Sequence, residues 1–384
     1  VIASQQYFKI NMLNFLQKEN QKQTDNITKK TPKSQAREWF DAVIVAVAAA
    51  VLVRWCIVEA CTIPTPSMEG TLLVGDFLFV SKLHYGARTP QTPLQIPLTH
   101  QNIWGTNTPS FASWLQLPSY RLPALSKVQR NDVVVFNYSG KDEDFLPVDV
   151  RTNFIKRCIA LPKDTLEISD MKVYVNGKLS SMTAQMQSGY YVLARDVISE
   201  NAFQLVGISD YRSAPNGYFI NATAEAARNL RNVPSVDDVI PIKQPKGKGN
   251  EKVFPFSILF EWNLDNFGAL VVPAKDMRIV LDEKNIALYE SVILRHENNQ
   301  NAKIEKGKLY IDNQEIKTYT FKQNYYFMLG DNRHNSDDSR IWGFVPESHI
   351  VGKALWVWWS MNPEGKLTDI FSRIRWSRIG NTIN

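Results

Sequence analysis

Residues 39–58 read WFDAVIVAVAAAVLVRWCIV, and this run limits the possible folds more than any other part of the chain. A helix of that length rises roughly 30 Å, the thickness of a bilayer's hydrocarbon core. Its two charges, Asp41 and Arg54, stand near the ends, where polar side chains can reach the interface, and Trp39 and Trp55 suit the same level. The run is therefore expected to be a single transmembrane helix rather than a buried core helix. A cleaved leader fits less well, because Arg54 interrupts the apolar run and no clean A-x-A site follows. VEAC, ending at Cys61, only loosely resembles a lipoprotein processing site, since Glu59 is a poor fit there.

The flanks give the helix a direction. Residues 1–38 are polar, rich in Gln, Asn and Lys, without periodicity, and basic on balance; they are expected as a solvated cytoplasmic tail. The chain opens with Val, and Met12 is the expected start. By the positive-inside rule the N-terminus lies inside and the body outside. That tail and the basic stretch after 362 carry the whole net charge of +6, so the body is close to neutral. A nucleic-acid binder would carry its basic patch on the folded body, and nucleic acid is not expected as a partner. The three cysteines, Cys56, Cys61 and Cys158, form no C-x-x-C pair and no clustered histidines accompany them. Neither a zinc site nor a disulfide framework is expected.

Beyond the helix the pattern is mostly β. DVVVFNY (132–138), NFIKRCIAL (153–161), KVYVNGKL (172–179), KLYIDNQEI (308–316) and KALWVWWSM (353–361) are short runs of strand-forming residues. Asn176-Gly177 marks a hairpin turn. The runs at 172 and 308 resemble each other and are expected as paired sheet edges. The expected organisation is a tail over 1–38, a membrane helix over 39–58 and a first core part over 59–180 with a surface excursion at 86–127. A β-rich inserted subdomain then covers 181–305, a second core part 306–361 and a basic amphipathic tail 362–384.

Three segments carry candidate chemistry. In IPTPSMEGTLLVGDFLFV, Ser67 is pinned by Pro64 and Pro66, which reduce the entropy of holding its hydroxyl in place. In NFIKRCIALPKDTLEI, strand alternation puts Phe154, Lys156 and Cys158 on one face. An apolar setting disfavours the charged amine, and a fall of some 2–3 units from about 10.4 would make Lys156 a base near neutral pH. In YFMLGDNRHNSDDSRIWGFVP, Gly, Asp, Asn, Arg and Ser are too dense for a simple connection. There Asp338 and Arg340 can pair, and Ser336 can donate or accept a hydrogen bond.

Together these segments resemble the bacterial type I signal peptidases. Their hallmarks, a PSMxPTL box after a membrane anchor, R-G-D-[IV]-V-V-F, K-R-x-[IV]-G-L-P-G-D and G-D-N-R-x-x-S-x-D-S-R-x-W-G, read here PSMEGTL, RNDVVVF, KRCIALPKD and GDNRHNSDDSRIWG, in the same order. The resemblance implies a Ser/Lys serine endopeptidase with Ser67 as nucleophile and Lys156 as general base. It gives Thr65 a place in the oxyanion hole, Ser336 the task of orienting the Lys156 amine, and Asp338 with Arg340 that of bracing the loop. Ile63, Met68, Leu72 and Ile155 become candidates to line pockets for the small residues of an Ala-x-Ala site. Preprotein signal peptides, the lipid bilayer and the export machinery are the implied partners, the inner membrane is the implied location, and no cofactor or metal is required. The chain departs from the pattern at Gly70, expected to loosen the turn where the family has proline, and at Asn131, Ala160 and Lys163, which replace glycines.

Rival readings have less behind them. A Ser-His-Asp hydrolase would use His334, beside Asp331 and Asp337. The S-x-x-K string from Ser169 to Lys172 falls in a turn, not at a helix start. A self-cleaving repressor would carry a DNA-binding domain in place of the apolar helix, and a catalytically dead scaffold would not keep every expected group.

Overall fold

The computed structural model describes residues 34–96, 99, 101–181, 185–363 and 370–383, so nearly all of the basic tail lies outside the described residues. The described chain divides into two compact units, Val1–Leu52 and Val53–Asn384. Most of the helix Gln35–Cys56 belongs to the first. It buries none of its residues, and Val43, Ile44, Val45, Val47 and Leu52 stand exposed. Its length and composition suit a membrane crossing. An apolar helix that buries none of its residues would be unstable in water, and a bilayer is the solvent that suits it.

The second unit is built on a seven-stranded antiparallel sheet. Its strands lie side by side in the order Val58–Thr62, Asp76–Ser81, Ile350–Ser360, Val133–Asn137, Asn153–Ala160, Tyr325–Leu329 and Val345–Pro346. Val133–Asn137 and Tyr325–Leu329 are buried at every position, which their unbroken apolar runs anticipate. A second sheet orders Phe267–Val271, Thr165–Ser169, Lys172–Val175 and Lys178–Leu179. It shares with the first a large aromatic core that includes Phe267, Phe321, Phe327 and Phe344.

Only part of the expected 181–305 insert has a sheet of its own. Val236–Pro241, Gln187–Ala194, Gly217–Thr223 and Asp210–Ala214 form it in that order, around a separate core centred on Phe203, Ile220 and Leu230. Phe267–Val271 instead pairs with Thr165–Ser169, because its Phe267 and Leu270 fill the main core. The two similar hairpins do not pair: Lys172–Val175 belongs to the second sheet, and Lys308–Ile311 pairs only with Lys303–Glu305 and Gln314–Ile316. Each finds a nearer partner across its own tight turn, so a pairing between them has no free edge to use.

The 86–127 excursion contains isolated bridges in place of named strands. Arg121 anchors it, donating to the carbonyls of Gly86, Glu347 and Ile350. The C-terminal tail is docked on the body: Ile374 and Ile383 are buried, and Arg378 donates to both oxygens of the buried Asp76.

Candidate active site

Ser67 lies in a single 3-10 turn, Pro66–Met68, directly before Glu69 and Gly70. The turn begins at Thr65, whose extended backbone leads into a proline at the first helical position, where a missing N–H costs nothing. Ser67 is 7% exposed, and Met68 and Leu72 beneath it are fully buried. The four pocket candidates do gather in one cluster, with Ile63, Met68 and Leu72 in its buried part and Ile155 packed against it. Ile63, Met68 and Leu72 are thus buried in the core that packs the turn, and Ile155 alone keeps appreciable surface.

Lys156 reaches the same point from the strand Asn153–Ala160. Its Nζ donates to Ser67 Oγ at 2.5 Å. The side chain is 3% exposed, and its ammonium lies 5.6 Å from the centre of the Phe154 ring, its neighbour on the same strand face. Burial pushes the amine's pKa down to about 8, against the opposing pull of Asp338, Asp337 and Asp331. A buried amine that loses its proton this readily can accept one from an adjacent hydroxyl.

Asp338 and Arg340 pair as expected. Arg340 Nε and Nη2 donate to the two Asp338 oxygens at 2.8 and 2.7 Å, and both residues are essentially inaccessible. Burial alone would raise the Asp338 carboxyl, but the Arg340 charge and hydrogen bonds hold it below the ordinary range. Asp338 also caps the short helix Ser339–Trp342 and accepts from Gly330 N–H.

One expected contact is not formed. Ser336 Oγ is buried but has no hydrogen-bond partner among the described residues, so the bond to Lys156 is not formed. The hydroxyl is instead packed over Gly330, where a Cβ would lie 2.1 Å from it. Thr65 is exposed and its side chain makes no capping bond. His334 is not free to act as a base. Its Nδ1 accepts from Gly189 N–H at 2.9 Å and its Nε2 faces Asp265 Oδ1 at 3.0 Å, so it clamps the small sheet to the loop.

A second buried pair was not evident from the sequence. Arg157 Nε and Nη2 donate to Asp331 at 2.8 and 2.7 Å, with both side chains fully buried, and Thr71 Oγ donates to the same carboxylate at 2.7 Å. This knot ties the strand of Lys156, the turn of Ser67 and the loop together. Its one sequence signal was a second cation, next to Lys156, in a strand whose other residues are mostly apolar. Asn332 adds two further ties, donating from its backbone to Ser67 O and from its side chain to Pro66 O.

The departures from the motif pattern have distinct causes. Asn131 and Lys163 adopt φ of 69° and 74°, a region natural to glycine, tolerated by Asn and mildly strained for Lys. Gly70 has φ +100°, and a Cβ on it would sit 2.1 Å from Gln185 O. The turn is thus not loosened by Gly70. Proline cannot adopt this conformation, and the segment leading into the small sheet occupies the space beside it.

The family model described as "Signal peptidase, peptidase S26" matches residues 36–220 and 271–359. A signal peptidase I of Buchnera aphidicola subsp. Acyrthosiphon pisum is 27% identical over 332 residues, covering 86% of this chain and 76% of its own. One from Rickettsia akari is 26% identical over 341 residues, 88% of this chain and 85% of the relative. One from Aquifex aeolicus is 26% identical over 312 residues, covering 81% and 80%.

Proposed function

Because this chain belongs to the peptidase S26 family of signal peptidases, we propose that it is a membrane-bound serine endopeptidase. It removes N-terminal signal peptides from translocated preproteins by a Ser/Lys mechanism, with Ser67 as nucleophile and Lys156 as general base. The observation that carries this reading is the 2.5 Å approach of Lys156 Nζ to Ser67 Oγ in a buried setting that lowers the amine's pKa to about 8.

With Lys156 neutral, the hydrogen bond reverses and the amine accepts the Ser67 proton as Oγ attacks the scissile carbonyl. The new C–O bond leaves an oxyanion, for which Ser67 N–H and the exposed Thr65 hydroxyl are the donors. The protonated Lys156 gives its proton to the leaving amine as the peptide bond breaks, and water then releases the acyl group by the reverse proton path. Asp338, held by Arg340, fixes the loop behind Lys156. Ser336 completes the arrangement if its unpartnered hydroxyl turns toward the amine when substrate fills the site.

Met68 and Leu72, fully buried in the core beside Ser67, would close the site to large side chains and suit Ala-x-Ala sites. The apolar helix Gln35–Cys56 is the anchor, with the N-terminus inside and the body on the outer side of the cytoplasmic membrane. The bilayer and the protein-export machinery are its surroundings there. On the body, Phe79 packs on Trp356 and Trp358, and both tryptophans remain about two-fifths exposed. Such rings suit a water–lipid interface.

The test is cleavage of a purified preprotein ending in an Ala-x-Ala site by wild type, Ser67→Ala and Lys156→Ala. Cleavage at that site by the wild type, lost in both folded variants, supports the reading. Near-full activity in Lys156→Ala would sink it.

A further inference from the structure

A cavity of about 460 Å³ lies where the site loop meets the small sheet. Six cationic side chains line it: Lys172, Arg228, Arg231, Lys243, Arg333 and Arg340. Only two carboxylates join them, and both are committed, Asp170 to Lys243 and Asp265 to His334. Arg340 is held by Asp338, and Arg231 lies near Asp238. Among the described residues, no carboxylate forms a direct ion pair with Arg333, Arg228 or Lys172; Asp338 and Asp331, each paired to another arginine, favour the Arg333 charge from farther off.

Arg333 is the telling residue. It is 6% exposed, its Nη2 meets only the Met186 sulfur, and its buried Nε has no partner among the described residues. Burial of a guanidinium without an anion is costly, and burial together with the nearby Arg340 charge pushes the Arg333 pKa down to about 10. Arg228, Arg231 and Lys243 share the cavity wall with Tyr190. Met171, Met186 and Leu264 supply an apolar side.

We propose that this cavity binds a phosphate-ester anion, with the phosphate held by Arg333, Arg228 and Lys172 and the apolar body against Met171, Met186 and Leu264. Guanidinium forks match phosphate oxygens in pairs. The excess of positive charge favours a doubly charged group over a single carboxylate. Arg228, Arg231, Lys243 and Leu264 lie outside the residues that the family model matches, while Lys172, Arg333 and Arg340 lie within them, so the cavity joins residues of the shared enzyme to residues of the 221–270 segment. It is also wired to the Ser67 turn. Arg340 Nη2 donates to Arg333 O, Arg333 N–H donates to Gln187 O, and the neighbouring Asn332 N–H donates to Ser67 O. An anion on Arg333 therefore steadies the loop that borders Ser67.

The experiment is calorimetric titration of phenyl phosphate into the full chain in phosphatidylcholine nanodiscs at about 0.15 M salt. Saturable binding is expected. It weakens about tenfold in Arg228→Ala, an exposed helix position that leaves the fold intact, and further in Arg333→Gln. Benzoate binds at least about tenfold more weakly. Nanodiscs doped with phosphatidic acid, a phosphomonoester lipid, separate the sources: competition with phenyl phosphate identifies a lipid headgroup, and its absence a soluble ester. No saturable binding of either, equal affinity in Arg228→Ala and Lys172→Ala, or benzoate binding as tightly would overturn the proposal.

Discussion

Lys156 Nζ and Ser67 Oγ meet at 2.5 Å although 89 positions separate the two residues in the chain. The strand of Lys156 pairs with Val133–Asn137, and the Ser67 turn sits on Val133 and Ile155 through Met68 and Leu72. The meeting is thus fixed by packed core on both sides, so few rotamers need ordering before reaction.

This geometry predicts which substitutions abolish cleavage. Ser67→Ala and Lys156→Ala should each lower kcat/KM by about a thousandfold or more while circular dichroism stays unchanged. Lys156→Arg should be as inactive as Lys156→Ala, because a guanidinium stays protonated. An active arginine variant would show that proton transfer to residue 156 is not part of the reaction.

The lowered amine pKa sets the pH response. Below about 8 Lys156 is protonated and cannot accept the hydroxyl proton, so kcat/KM should climb with pH and level off above about 8. Stability carries the same sign. Between about 8 and the ordinary value of 10.5 only the unfolded chain holds this proton, so wild type should gain about 3 kcal/mol relative to Lys156→Met as pH rises across that window. Urea titrations of both proteins at pH 7.5 and at about pH 10 measure the difference, and no relative gain would place the amine's pKa near its ordinary value.

The fully buried Arg157–Asp331 pair should be the costliest to break. Asp331→Ala strands a buried guanidinium and is expected to cost about 3–5 kcal/mol. Arg157→Lys loses the paired hydrogen bonds and should also be destabilised. Thermal and urea unfolding report both.

At Gly70 the family's usual residue should fail. Gly70→Pro requires φ near −65° where the chain has +100°, and even Gly70→Ala drives a Cβ into Gln185 O. Both should lower Tm, by several degrees for a cost of about 2 kcal/mol, and reduce cleavage. Wild-type behaviour in Gly70→Pro would mean that the 185–187 segment does not press on this turn.

His334→Ala should lower kcat/KM by no more than about tenfold, far less than Lys156→Ala, because both ring nitrogens are engaged with Gly189 and Asp265. Proteolysis of the 187–241 sheet should quicken in the same variant, since a clamp is lost.

The sequence by itself determined the apolar helix, the β character of the body and which residues are candidates for the reaction. These are local properties: an unbroken apolar run, strand alternation around Lys156, and motif strings whose residue types limit the available chemistry. Pairing of Asp338 with Arg340 was also legible, because two positions apart is within reach of a single turn. The tertiary structure alone decided the rest. The Arg157–Asp331 knot joins residues 174 positions apart, and no pattern along a strand says which distant carboxylate an arginine will meet. The left-handed Gly70 follows from Gln185, a neighbour in space only. Ser336 lost its expected bond because its rotamer answers to the space above Gly330. Burial lowers the Lys156 pKa to about 8, and burial is a property of the folded surroundings that no single segment contains.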